Sequence, residues 1–349
     1  MARLLMAALE RGGHDVVLAS RLRSWDDATR PGRQARLRAI GRRTARRLID
    51  RWQATPRPPE AWFTYHLYHK APDWIGPPVS AALGIPYVVA EASYAAKQAG
   101  GHWADGHAAS AAAIRRADAV LAMSAVDRQG LERLTGDPAR LHRLDAFVDT
   151  ARYVAAAARR DDERRRWWGG VPGPWLLAVG MMRRGDKLDS YGVLADALGE
   201  LTTLDWRLAL VGDGPARDEV VGAFDPARCR ALGACGGDAL AGLYAAADLM
   251  VWPAINEAYG MAMLEAQATG LPVVAGASGG VPEIVTDGVT GLLAPPGDAA
   301  AFAVAVRGLL QDPPRHAAMG RAAAAAAAQR HGIDRAAARL SDILRRVRA

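Results

Sequence analysis

Apolar residues in this chain fall into short runs, and longer stretches of helical period separate them. In the first half such runs occupy residues 61–64, 86–90 and 119–123, and in the second half 175–179, 208–211, 249–252, 272–275 and 291–294. Runs of this length bounded by turn residues predict strands buried on both faces. Their alternation with helices predicts two α/β units in tandem, each a parallel sheet covered on both sides. The chain opens on a helix over residues 1–11, closed by Gly12-Gly13, and then on a fourth apolar run, residues 15–19, which also reads as a buried strand. Open parallel sheets usually begin with a strand followed by a ligand-binding loop. A chain that opens on a helix is therefore expected to lack its first strand and glycine-rich loop.

A polar stretch divides the two series. Residues 151–173 carry dense charge and end in Gly169-Gly170 and Pro172-Gly173-Pro174, which marks a boundary. The expected organisation is a first domain over 1–150, a linker over 151–173, a second domain over 174–312, and C-terminal helices over 313–349 that pack back toward the first domain.

Composition narrows the class. A length of 349 residues favours two domains. Half the residues are hydrophobic and 23% are charged, as in ordinary globular proteins. The two cysteines, Cys229 and Cys235, match no zinc or redox spacing and read as reduced thiols, which suits a cytoplasmic protein. No run is long and apolar enough to predict a membrane span. The net charge of +7 points to an anionic partner. Much of it lies between Arg30 and Trp52, with nine arginines against one acid, Asp50, and with Leu37, Ile40, Leu48 and Trp52 at helical spacing. Such a helix either lies on an anionic membrane surface, at its inner face, or simply presents a solvated side. Nucleic acid is not expected, since no recognition motif accompanies the charge.

The segment from Trp252 to Ala266 is the richest in chemistry. An apolar run stops at Pro253, a polar loop carries Asn256 and Glu257, and a helix is expected from about Tyr259 to Thr269. The free amides of residues 259–261 would then face a ligand, and a helix N-terminus of this kind suits a diphosphate. Gly260 permits close approach. Glu265 lies about 1.5 turns into the helix. By spacing alone, Glu257 and Glu265 read equally as solvated side chains.

Together with its surroundings the segment resembles the E-x7-E motif of retaining GT-B glycosyltransferases, family 4. The similar text runs from Glu257 to Glu265, then through Thr269-Gly270-Leu271-Pro272, Gly279-Gly280-Val281-Pro282-Glu283 and Asp287-Gly288-Val289-Thr290-Gly291. Upstream, Leu210-Val211-Gly212-Asp213-Gly214-Pro215 and Tyr244-Ala245-Ala246-Ala247-Asp248 fit the same order. The resemblance implies two Rossmann-like domains facing across a cleft and a nucleoside-diphosphate sugar as donor, with no cofactor and no metal.

By that resemblance Glu257 contacts the donor sugar, Glu265 the ribose, and Asn256, Ala258, Tyr259, Gly260, Met261, Gly212 and Gly214 the rest of the donor. Arg183 and Lys187 are the cations expected to stabilise the departing diphosphate; where the family often has arginine directly after Gly180, this chain has Met181. On the acceptor side the candidates are Glu91, His66 and His102, of which the histidines read equally as surface or satisfied side chains. The acceptor is expected to be a glycan, a lipid-linked sugar or a small molecule. Two alternatives remain open at this point: a non-catalytic nucleotide-sugar-binding remnant of the same fold, and a glycoside hydrolase using Glu257 and Glu265 as an acid/base pair.

Overall fold

The computed structural model describes residues 1–348. It divides into two compact units, one made of Met1–Asp145 with Ala336–Ala349 and the other of Ala146–Arg335.

The first unit holds a four-stranded sheet of β1 (Trp62–Leu67), β2 (Tyr87–Ala92), β3 (Ala119–Ala122) and β4 (Leu141–Arg143), parallel throughout and in sequential order. β2 and β3 are almost wholly buried, which is why they read as continuous apolar runs. The helix Arg33–Gln53 packs through Leu37, Gly41, Ala45 and Leu48, and Ala45 and Leu48 join the core of the unit. Gly41 has to be small, because a Cβ there would fall 2.4 Å from the Cβ of Trp74. The opposite side of the helix presents Arg36, Arg42, Arg43, Arg46, Arg47 and Arg51 as exposed side chains.

The strand expected over residues 15–19 does not form. These residues are outside any helix or strand, and Val17 and Leu18 are 71% and 55% exposed. A strand needs a neighbour for its backbone groups. The outer edge of β1 pairs with no other strand among the described residues, and the segment contributes only Ala19 and, beyond it, Leu22 to the core.

The second unit is a six-stranded parallel sheet in the order β10-β9-β8-β5-β6-β7, formed by β5 (Trp175–Val179), β6 (Arg207–Val211), β7 (Cys229–Ala231), β8 (Leu249–Trp252), β9 (Val273–Gly276) and β10 (Gly291–Ala294). The order has a functional consequence. From β5 the chain crosses outward through β6 to β7, and from β8 it crosses the other way through β9 to β10. β5 and β8 are paired neighbours, so the loops that follow them diverge. A crevice opens at the carboxyl ends of strands where the winding reverses in this way.

The stretch 151–173, expected as a linker, is instead two helices, Thr150–Ala157 and Arg160–Trp168, built into the second unit. Their charge is spent on structure. Arg160 and Arg164 both bind Asp248, which also accepts a hydrogen bond from the Trp175 amide at 2.8 Å. The Trp168 indole stacks on Trp175 with centroids 4.0 Å apart. Of the C-terminal helices, Pro313–His331 lies in the second unit, whereas most of Ile333–Arg348 belongs to the first. The Ser341 hydroxyl there meets His14 at 2.9 Å and donates to the Gly12 carbonyl.

Candidate functional site

The loops after β5 and β6 in the second unit lie backbone against backbone. The Gly180 amide donates to the Val211 carbonyl at 3.0 Å, and the Met182 amide to the Asp213 carbonyl at 2.9 Å. Gly212 and Gly214 make this approach possible. Both have positive φ, and a Cβ on Gly212 would fall 1.8 Å from the Gly180 oxygen. Their visible work is thus to hold the β5 loop in place.

That loop ends in the helix Asp186–Gly199. Lys187, in its first turn, pairs with Glu257 through Oε2. Arg183 is exposed, and its side chain forms no ion pair or hydrogen bond among the described residues. The two cations expected to act together are therefore in different states: Lys187 is committed to a carboxylate and Arg183 is open to solvent.

Glu257 stands in a loop of unusual backbone. Ala254 and Asn256 both adopt positive φ, at 56° and 49°, a conformation non-glycine residues rarely hold unless their surroundings impose it. Here several bonds impose it. The Ile255 amide donates to Ser190 Oγ at 3.0 Å, Asn256 Nδ2 to Asp186 Oδ2 at 3.0 Å, and the Gly280 amide reaches the carbonyls of Glu257 and Ala258. A second oxygen contact comes from the end of β8, where the Trp252 indole N–H donates to Glu257 Oε2 at 3.1 Å.

The following helix begins two residues later than expected, at Met261, and runs to Ala268. Its N-cap is Gly260 in the left-handed region, φ 80°, with no side-chain cap. The amides of Met261 and Ala262 thus head the helix without intrahelical partners, while Tyr259 lies before it. Ala258 is exposed and Tyr259 half-buried.

Glu265 is mostly buried. Tyr244, fully buried, donates to its Oε2 at 3.0 Å, and Tyr153 donates to it as well. Burial holds this carboxyl above the ordinary glutamate range, and the two phenol hydrogen bonds only partly offset that. Glu257 and Glu265 therefore have separate sets of partners.

On the first unit, His66 and Glu91 come together. They end neighbouring strands, both with positive φ (64° and 55°), and His66 Nδ1 lies 3.1 Å from Glu91 Oε1. Tyr65 also hydrogen-bonds Glu91. His102 does not join them. It pairs with Asp26 at 3.0 Å, and Asp26 is buried. Burial raises the Asp26 carboxyl and hydrogen bonds from His102 and Gln34 lower it by more, so it rests below the usual aspartate range.

Sequence reasoning missed Trp252, Tyr153 and Asp26. Trp252 reads as the last residue of a buried run, and nothing in its spacing reports that its N–H turns to Glu257. Tyr244 lay within a quoted motif, but its bond to Glu265 needs the fold.

Residues 173–312 match the family described as Glycosyl transferases group 1. Among curated proteins, the chain is 34% identical over 153 residues to sulfoquinovosyl transferase SQD2 of Arabidopsis thaliana, covering 43% of this chain and 29% of that protein. It is 44% identical over 108 residues to D-inositol 3-phosphate glycosyltransferase of Streptomyces avermitilis, covering 31% of this chain and 23% of the relative. The matched stretches thus span less than a third of these relatives. Among solved structures, Anabaena HepE in complex with UDP and glucose is similar with a TM-score of 0.70 at 21% identity, over 92% of this chain and 84% of that one. The fold is therefore that of GT-B glycosyltransferases, with two parallel-sheet domains.

Proposed function

We propose, from a second unit whose residues 173–312 match Glycosyl transferases group 1, that the chain transfers a sugar from a nucleoside-diphosphate sugar to an acceptor hydroxyl with retention of configuration. The observation that carries the reading is the uncapped start of the Met261–Ala268 helix, flanked by Glu257 before it and Glu265 within it, at the reversal of strand order. Partial positive charge at that helix start attracts the diphosphate. Glu257 grips the sugar and Glu265 the ribose. Arg183 and Lys187 stabilise the leaving diphosphate, so that electrostatics rather than a covalent intermediate lower the barrier.

Similar proteins support the donor class. HepE has been solved with UDP and with UDP-glucose. On the first unit, the His66–Glu91 pair offers a hydrogen-bonding site for acceptor hydroxyls, and Tyr65 supplies an adjoining ring. The arginine face of the Arg33–Gln53 helix suits an anionic membrane surface and hence a lipid-linked acceptor. A hydrolase built on Glu257 and Glu265 gains no support, because Glu257 is paired with Lys187 and Trp252 while Glu265 is bound by Tyr244 and Tyr153.

The test is thermal stabilisation of the purified chain by UDP, GDP, ADP and their sugars, followed by mass-spectrometric detection of transfer in the presence of EDTA. Stabilisation by one sugar nucleotide with transfer to an acceptor supports the enzyme. Stabilisation without transfer to any acceptor favours the binding remnant, and no stabilisation at all sinks the donor site.

A further inference from the structure

Lys187 heads the Asp186–Gly199 helix and Glu257 lies in the loop after β8, yet both rest on one side chain. Trp252 is 1% exposed. Its indole N–H donates to Glu257 Oε2 at 3.1 Å, and its ring face carries the Lys187 ammonium 5.2 Å from the centroid. The ring itself is held. Tyr191 meets it edge-on with centroids 5.0 Å apart, and a Cβ on Gly180 would fall 2.8 Å from its far edge. The ammonium and the carboxylate close on each other with side chains only 15% and 17% exposed. Neither charge is well served by water, so each depends on the other.

We propose that this closed pair is a gate that selects an intact sugar diphosphate over the bare diphosphate, with Trp252 as its positioning residue; the proposal rests on the donor reading of the second unit. A bare diphosphate draws Lys187 to its phosphate oxygens and leaves the Glu257 carboxylate with the indole N–H alone. The loss of a partner for a poorly hydrated charge offsets much of the new attraction. A diphosphate that carries a sugar replaces the ammonium with hydroxyl donors, and hydrogen bonds to an ionised acceptor are the strong kind. Only the intact donor opens the pair without stranding a charge. After the sugar has been transferred, Glu257 again competes for Lys187, which favours release of the diphosphate.

The gate predicts that removing a carboxylate from the site tightens product binding. In the ligand-free protein, the Trp252 indole 1H–15N signal, identified by its loss in Trp252→Phe, shifts in Glu257→Gln and in Lys187→Met; an unmoved signal overturns the closed pair. Calorimetry then compares UDP, GDP and ADP with their glucose conjugates. Wild type is expected to prefer one conjugate by about tenfold or more, the scale of one charged hydrogen bond. Glu257→Gln is expected to bind the matching bare diphosphate several-fold tighter than wild type and to lose the preference. Trp252→Phe keeps a ring beneath Lys187 but removes the N–H that Glu257 would retain, so it is expected to bind the bare diphosphate weaker than wild type and to widen the preference for the conjugate. Unchanged or weaker binding of the bare diphosphate in Glu257→Gln overturns the gate while leaving the donor reading intact. Failure of all six ligands to bind any variant sinks the donor reading and the gate with it.

Discussion

Glu265 lies where its surroundings work against its charge. Burial raises its carboxyl, and Tyr244 and Tyr153 restore only part of the lost hydration. A carboxyl whose folded pKa exceeds its unfolded one favours folding most when protonated. That contribution is complete below the usual glutamate pKa of about 4.3 and disappears as pH rises through the folded value. Above the folded value the ionised Glu265 is therefore a burden on the fold. Glu265→Gln is expected to raise the melting temperature at pH 7 by roughly 2–4 °C, the shift that about 1 kcal/mol gives a unit of this size. The gain should shrink toward nothing below about pH 4. The same substitution should weaken nucleotide binding, measured by calorimetry, because the amide no longer accepts two ribose hydroxyls as a carboxylate does. A melting point that does not respond to pH in this way would remove the strain from the account.

Among the elements, the loop that carries Glu257 is held by backbone contacts that leave no room for side chains. Gly279 has φ 54°, and a Cβ there would fall 1.8 Å from the Glu257 carbonyl oxygen. Gly279→Ala should cost about 2 kcal/mol or more and reduce donor affinity, read together by urea unfolding and calorimetry. Asp248 ties the Arg160–Trp168 helix to the sheet through Arg160, Arg164 and the Trp175 amide. Asp248→Asn should lower stability by about 2 kcal/mol, the worth of a charged hydrogen bond, with an unchanged m-value. That helix was legible in the sequence only as charge, since an arginine paired with an aspartate 84 residues away looks like a solvated one. The buried strands β2, β3, β5, β6, β8 and β9 were legible because burial on both faces leaves a run of apolar residues, and the half-buried edge strand β10 because its residues are apolar all the same. β4 and β7, three residues each at the sheet edges, left no such trace. Residues 15–19 misled in the opposite direction: they have the composition of a strand, but a strand is defined by a partner. At the site, Glu257, Glu265 and Lys187 could be read from motif order, whereas the indole and phenols that orient them could not, because their roles depend on direction rather than spacing.

For the molecule as a whole, the charge of +7 is unevenly placed. The six exposed arginines of the Arg33–Gln53 helix form no ion pair among the described residues. No described helix is long and apolar enough to cross a membrane; attraction between the arginine face and anionic lipid is electrostatic and weakens with salt. With vesicles containing phosphatidylserine, replacing Arg43, Arg46 and Arg47 by glutamine should lower partitioning roughly 100-fold, at about 1 kcal/mol per arginine. Co-sedimentation at low and high salt measures it, and equal binding of the variant would assign the helix to solvent alone. The first unit also has a chain order of its own. It takes residues from both ends of the polypeptide, including the buried Leu340 and Ile343 of the last helix. Those residues follow the whole of the second unit along the chain. The two units are therefore not separable by a single cut: a fragment ending at Asp145 leaves the first unit without Leu340 and Ile343, whereas residues 146–335 carry Glu257 and Lys187 in one continuous stretch.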